Sequence, residues 1–334
     1  MSFGCKIYDE LVNISVIIAT KNEAHNIDGL LSSIKNLDYP DDFYQVIIVD
    51  DNSSDGTSEK LKLRINKFDN ISLEELKKRG LTGKRNALEY GISIAKYSSI
   101  VITDADCRPE PGWLKSHSKG FVEGFNFQFG IAPFERNTTF MNKIICFENL
   151  RSSILTFSFA GLGLPYSAAA RNLGFTKKAF LKIGGYSKTQ DTLSGDDDLL
   201  LREAIKQKLK IGRITEKGSF VYSKAKETFK DYLNQRARHT QTSFHYLLKQ
   251  KLALGLWHFL NLFFLFSVVL IALNPLFGIL TLFKLITDTI VVKFYEKKFG
   301  YKFNLLEIVP LQIMYELLLI LHFVNARFMK VKWK

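Results

Sequence analysis

A chain of 334 residues is long enough for one large core or two smaller domains, and its formal net charge of +13 is unevenly placed. Residues 1–230 hold 33 basic and 28 acidic side chains, whereas residues 231–334 hold 13 and five. A basic excess around an apolar C-terminal third suits an anionic membrane surface, and no aromatic-and-basic RNA-binding signature or zinc spacing speaks for nucleic acid. Cys5, Cys107 and Cys146 are too scattered for a disulfide framework or metal cluster, which implies a reducing compartment. The first residues lack the basic start and apolar run of a signal peptide, so the catalytic part is expected in the cytoplasm.

Residues 14–19 read as a strand buried on both faces, and Thr20-Lys21-Asn22-Glu23 leaves its carboxyl end. Residues 26–37 then carry a helical spacing of Ile27, Leu30, Leu31 and Ile34. A second strand over 45–49 runs into Asp50-Asp51-Asn52-Ser53-Ser54-Asp55-Gly56-Thr57, followed by a helix over 58–67. Gly83-Lys84-Arg85 opens a third helix reaching about residue 95. Next comes Ile100-Val101-Ile102-Thr103-Asp104-Ala105-Asp106, a buried strand ending in two carboxylates one residue apart. Alternating strands and helices with polar strand ends predict an α/β fold whose parallel sheet has its ligand crevice along those ends.

Each polar cluster has a role if the ligand is a nucleoside diphosphate. Asp104 and Asp106 offer hard oxygen ligands for Mg²⁺ or Mn²⁺, which would neutralise the diphosphate. Asp51 can accept hydrogen bonds from a pyrimidine imide, and Thr20 and Glu23 sit where a base or ribose would lie. Lys84 and Arg85, at a helix start, suit a phosphate or ribose. Taken singly, the same residues also read as a strand-end turn, a helix N-cap and a solvated basic face. Their convergence on one sheet edge carries more weight than any one of them.

The motifs at 16–23, 49–57 and 104–106 resemble those of family 2 glycosyltransferases of the GT-A fold, over roughly residues 12–240. The resemblance implies a Rossmann-like, mostly parallel sheet flanked by helices and followed by a C-terminal helical membrane region. It further implies inverting transfer from a UDP- or GDP-sugar to a lipid-linked or glycan acceptor. Asp51 would lie at the base, Asp106 would be the surest metal-site acid, and Asp104 would take the outer position. In the middle of the chain, Arg171 follows a small-residue stretch and is a candidate acceptor or phosphate contact.

Ser194-Gly195-Asp196-Asp197-Asp198 is a second acidic centre, and at least one of its pKa values should rise if the acids are partly buried. The family pattern places an Arg six residues after the catalytic Asp, so counting back from Arg202 gives Asp196 as general base, with Asp198 as the following acid. Gly195 stands where the family has Glu, which keeps Asp197 as second choice. Gln235-Arg236-Ala237-Arg238-His239 resembles the Gln-x-x-Arg-Trp motif of membrane-bound relatives, with His239 in place of Trp. There Gln235, Arg238 and His239 would lie by the leaving diphosphate.

The apolar stretch over 252–273 is long enough to span a bilayer, and a second over 275–292 follows Asn274-Pro275. Lys284 and Asp288, four apart within it, should pair or face inward. A third run, 305–325, contains Glu307, Pro310, Glu316 and His322. Basic residues flank every end except the 273–278 link, so the positive-inside rule favours a spanning hairpin with an interfacial or re-entrant third segment. The expected division is a catalytic domain over 1–240 and a membrane region over 241–334. Two other functions fit these residues: a polyprenyl-phosphate glycosyltransferase, whose acceptor needs no strong base, and a catalytically silent nucleotide-binding membrane scaffold.

Overall fold

The computed structural model describes residues 11–76, 80, 82–192 and 194–328. Cys5 and the first ten residues lie outside them, as do residues 329–334. The chain forms two compact units. One holds the segments up to Ala132, Ala169–Tyr186 and Glu203–Tyr222. The other holds Pro133–Ala168, Ser187–Arg202 and the segment from Ser223 onward.

The first unit is built on a seven-stranded sheet in the order β3-β2-β1-β4-β7-β6-β8. Its strands are β1 (Ile14–Thr20), β2 (Tyr44–Asp50), β3 (Ile71–Glu75), β4 (Ser99–Asp104), β6 (Phe127–Gly130), β7 (Leu173–Thr176) and β8 (Ile211–Ile214). The two-stranded sheet pairs β5 (Cys107–Pro109) with β9 (Val221–Ser223). The first half follows from its sequence: β1, β2 and β4 are β-branched apolar runs, and amphipathic helices link β1 to β2, β2 to β3 and β3 to β4. Those helices are α1 (Ile27–Lys35), α2 (Thr57–Ile65) and α3 (Lys84–Ile94). α1 buries Ile27, Leu30, Leu31 and Ile34, the stripe its spacing predicts, against Val16, Ile18 and Ile48.

Parallel pairing links β3-β2-β1-β4, but β7 runs antiparallel between β4 and β6. β6 and β8 pair in parallel, and β7 leads into the short α6 (Lys177–Lys182). Behind this second half, α4 (Trp113–Val122) supplies a buried polar cluster. The Trp113 indole and the His117 Nε2–H both donate to Asn172 Oδ1, at 3.0 and 2.9 Å. Asn172 Nδ2 in turn donates to the carbonyls of Ile131 and Ser219. Burial pulls the His117 pKa down to about 4, so the ring is neutral. Glycine makes room for this cluster. A Cβ on Gly174 would lie 2.6 Å from His117 Nδ1, and one on Gly130 would lie 2.3 Å from Asn172 Nδ2.

The second unit is helical. α5 (Phe140–Gly161), not anticipated from the sequence, is capped by the Thr139 hydroxyl, which accepts from the Asn142 amide. α7 (Asp198–Lys206) starts in this unit, and α8 (Phe229–Ser243) is capped by Thr228. α9 (Leu248–Phe266), α10 (Leu276–Tyr295) and α11 (Leu305–Phe328) follow.

Lys284 and Asp288 do pair, at 2.6 Å, within a larger buried set. Lys284 also meets Glu316 on α11 at 3.3 Å and Asn261 on α9 at 2.9 Å, while Asp288 holds Arg151 on α5 at 3.0 Å. Among the described residues, two stretches are long and apolar enough to cross a bilayer: Leu248–Ala272, which is α9 with a 3-10 continuation, and Leu305–Phe328. The third apolar run, expected to span the bilayer or lie at its interface, is a helix of spanning length. α10, expected as the return crossing, carries the charged pair inward.

Candidate active site

The first unit gathers its polar residues at the carboxyl ends of β1, β2 and β4. β2 ends in Asp50, and the chain then places Asp51 almost wholly inside. Asp51 Oδ1 accepts from the Gly83 amide at 2.7 Å and the Thr82 hydroxyl at 3.1 Å, and Oδ2 lies 3.4 Å from Lys21 Nζ. This carboxylate thus ties the β1 and β2 ends to the start of α3. Gly83 has φ +99°, a conformation that suits glycine and aims its amide at Asp51.

The next residue, Lys84, reaches Asp104 Oδ1 at 2.9 Å. Asp104, Asp106 and Cys107 place one ligand atom each within 4.8 Å of one another. The Cys107 thiol donates to Asp106 Oδ1 at 3.3 Å. Burial, with Asp106 and Asp104 alongside, holds that thiol protonated well above its usual range. The carboxylates are left as the hard donors of the set, which suits Mg²⁺ or Mn²⁺.

Other sequence candidates fall differently. Glu23 is a local brace: its amide donates to the Thr57 hydroxyl and its carboxylate accepts from Asn26 Nδ2 at 2.7 Å. Thr20 is buried, and the parallel register that sets Ala19 against Asp104 turns the Thr20 side chain to the opposite sheet face. Arg85, on the first turn of α3, is half-buried. Arg171 donates to the Ala132 carbonyl at 2.9 Å, one residue before the Asn172 junction.

In the second unit the three consecutive acids differ sharply. Asp198 is buried with both oxygens engaged, Oδ1 by the Ala168 amide at 2.9 Å and Oδ2 by the Tyr246 hydroxyl at 2.6 Å. Burial raises its pKa, while those two donors hold it back and Asp196 pushes it further up. Asp197, just before α7, accepts from the Asp198 amide through Oδ1 at 2.7 Å. Asp196 is less buried than either neighbour. Gly195 has φ +94°, and a Cβ there would lie 2.7 Å from Leu199 Cγ, so the family's Glu does not fit this backbone. Arg202, which sets the register, is held by Asp191 at 2.8 Å and by the His245 carbonyl.

On α8, Gln235, Arg238 and His239 are half-buried. Sequence reasoning missed Arg236, which meets the buried Glu148 at 2.7 Å. It also missed Lys21 and Tyr246, the partners of Asp51 and Asp198. The i, i+4 spacing of Tyr232 and Arg236 was the available signal for the first of these.

The model of glycosyl transferase family 2 matches residues 15–180, and that of glycosyl transferase family group 2 matches residues 99–319, well over half of the chain. The chain belongs to glycosyltransferase family 2. Among curated relatives, the probable glycosyltransferase YdaM of Bacillus subtilis is 26% identical over 290 residues, 80% of this chain and 66% of that protein. Glycosyltransferase AglE of Haloferax volcanii is 35% identical over 103 residues, 30% of this chain and 33% of its own. The chain thus spans between a third and two thirds of the length of these relatives. The mannosyltransferase PcManGT from Pyrobaculum calidifontis, solved in complex with GDP-Man and Mn²⁺, aligns with a TM-score of 0.58 at 18% identity. The alignment covers 96% of this chain and 89% of that one. That likeness shows a shared GT-A fold.

Proposed function

We propose that this glycosyltransferase moves a sugar from a UDP- or GDP-sugar, with inversion, to a hydroxyl of a lipid-linked or glycan acceptor at a membrane. The observation that carries the reading is the Asp104–Asp106 pair at the end of β4, with Lys84 on one of its carboxylates. Asp104 and Asp106 would hold Mg²⁺ or Mn²⁺, which when bound neutralises the diphosphate and the charge developing on the leaving group. Lys84 and Arg85 serve the diphosphate from the α3 terminus, where backbone N–H groups add to their charge. Asp51, fixed by Gly83 and Thr82, sets the floor of the base site and keeps α3 in position.

Asp196 is the general base. It takes the acceptor hydroxyl proton as that oxygen attacks the anomeric carbon from the face opposite the leaving group. Its neighbours support this choice, because Asp198 is spent on Ala168 and Tyr246 and Asp197 on the α7 terminus. Gln235, Arg238 and His239 contribute further contacts to the leaving diphosphate, and Arg171 serves the acceptor. α9 and α11 sit in the bilayer, with the catalytic residues on its cytoplasmic side. Detergent-purified protein offered a panel of UDP- and GDP-sugars should release nucleoside diphosphate only with Mg²⁺ or Mn²⁺ present. Absence of release with every sugar and metal would remove the reading.

A further inference from the structure

Glu148, on α5, is 2% exposed and is met by three side chains from two other helices. Arg236 Nη2 reaches its Oε1 at 2.7 Å, and His322 Nε2 on α11 reaches the same oxygen at 3.2 Å. The Tyr232 hydroxyl donates to Oε2 and lies 3.0 Å from His322 Nε2. Burial is the largest single influence on Glu148 and opposes its ionisation, but Arg236 and His322 together outweigh it and bring the carboxyl down to about 2. One carboxylate therefore joins α5, α8 and α11. A further bond, from Gln241 Nε2 to the Ala326 carbonyl at 3.0 Å, ties the far end of α8 to α11.

The geometry of α8 gives this junction a second meaning. At 3.6 residues per turn, Tyr232 and Arg236 leave the helix on one side, and Arg238 leaves it on the far side. A buried ion pair contributes little net stability against an apolar replacement, so its effect is better sought in orientation. Any rotation of α8 that moves Arg238 also pulls Arg236 and Tyr232 off the buried carboxylate. We propose that Glu148 is a positioning residue, which sets the rotation of α8 and so aims Gln235, Arg238 and His239. The inference rests on the proposed role of those three side chains at the leaving diphosphate.

A double-mutant cycle on the full-length protein in detergent tests it, with Mn²⁺-dependent nucleoside diphosphate release from the UDP- and GDP-sugar panel as readout. Glu148→Gln is expected to lower kcat by about tenfold to 10²-fold, the scale of a displaced contact, with Tm followed in parallel. In an Arg238→Ala background the same substitution should cost less than about twofold more, because the contact it aims is already gone. A merely structural role would give losses that multiply, and that result, or an unchanged kcat for Glu148→Gln, overturns the proposal. If Glu148→Gln fails to fold, Tyr232→Phe removes one donor, keeps the Arg236 pair, and enters the same cycle. Wild-type protein that turns over no nucleotide sugar would overturn the reading beneath the inference. Active wild type with multiplying losses would overturn the inference alone.

Discussion

The Tyr246 hydroxyl donates to Asp198 Oδ2 over 2.6 Å, and this bond gives Asp198 a structural task two residues away from Asp196, the proposed base. Asp198→Ala leaves the Tyr246 hydroxyl and the Ala168 amide buried without an acceptor, at roughly 1–3 kcal/mol each. Unfolding in detergent should show that loss. Asp196→Asn should leave Tm near wild type and lower transfer by about 10²- to 10⁴-fold, the range of a general base. If Asp197→Asn is the more damaging substitution, the register read from Arg202 is off by one residue. Transfer that survives both changes would favour an already ionised phosphate acceptor.

At the other acidic centre, Asp106→Asn should abolish the Mn²⁺-supported part of nucleotide-sugar binding. Calorimetry with and without Mn²⁺ measures it directly. An unchanged metal-dependent affinity would take Asp106 out of the cation site.

Glu148 also makes stability depend on pH. Its folded-state value of about 2 lies below the ordinary 4.5, so its stabilisation is complete above the ordinary value and is lost as pH falls towards the folded one. Wild type and Glu148→Gln should draw together in Tm as pH falls from 4.5 to about 2. A gap that stays constant over that interval would mean that Glu148 is not ionised in the folded protein.

Within the apolar helices, Lys284 is the cation shared by Asp288 and Glu316. Lys284→Met leaves Glu316 buried without its charge partner, and breaking such a pair costs about 3–5 kcal/mol. A lowered Tm in detergent is the expected outcome. Equal stability would show that Glu316 is uncharged there.

The parallel half of the sheet is legible in the sequence because residues 14–19, 45–49 and 100–103 are apolar runs that end in polar turns. β6 and β8, four residues each, are too short for any periodicity to register. α5 escapes for a different reason. It buries Asn142, Glu148 and Arg151 among its apolar side chains, so no one-sided stripe appears. Within the site, motif spacing picks out Asp51, Asp104 and Asp106. It cannot reveal that Tyr246 closes on Asp198 across 48 positions, or that Arg236 rather than Arg238 anchors α8 to Glu148. For Thr20 the motif does not say which sheet face the hydroxyl takes, since that is decided by the register.

The antiparallel insertion of β7 has a consequence for synthesis. β3, β2, β1 and β4 are all complete once residue 104 has been made, yet the strand that covers the outer edge of β4 begins at Leu173. While residues 105–172 emerge from the ribosome, the Ser99–Ile102 edge has open backbone donors and acceptors flanked by apolar side chains. An uncovered edge of that kind recruits other chains. During this interval the nascent sheet is therefore open to pairing with other chains, and a chaperone or a faster pace of translation would shorten that exposure.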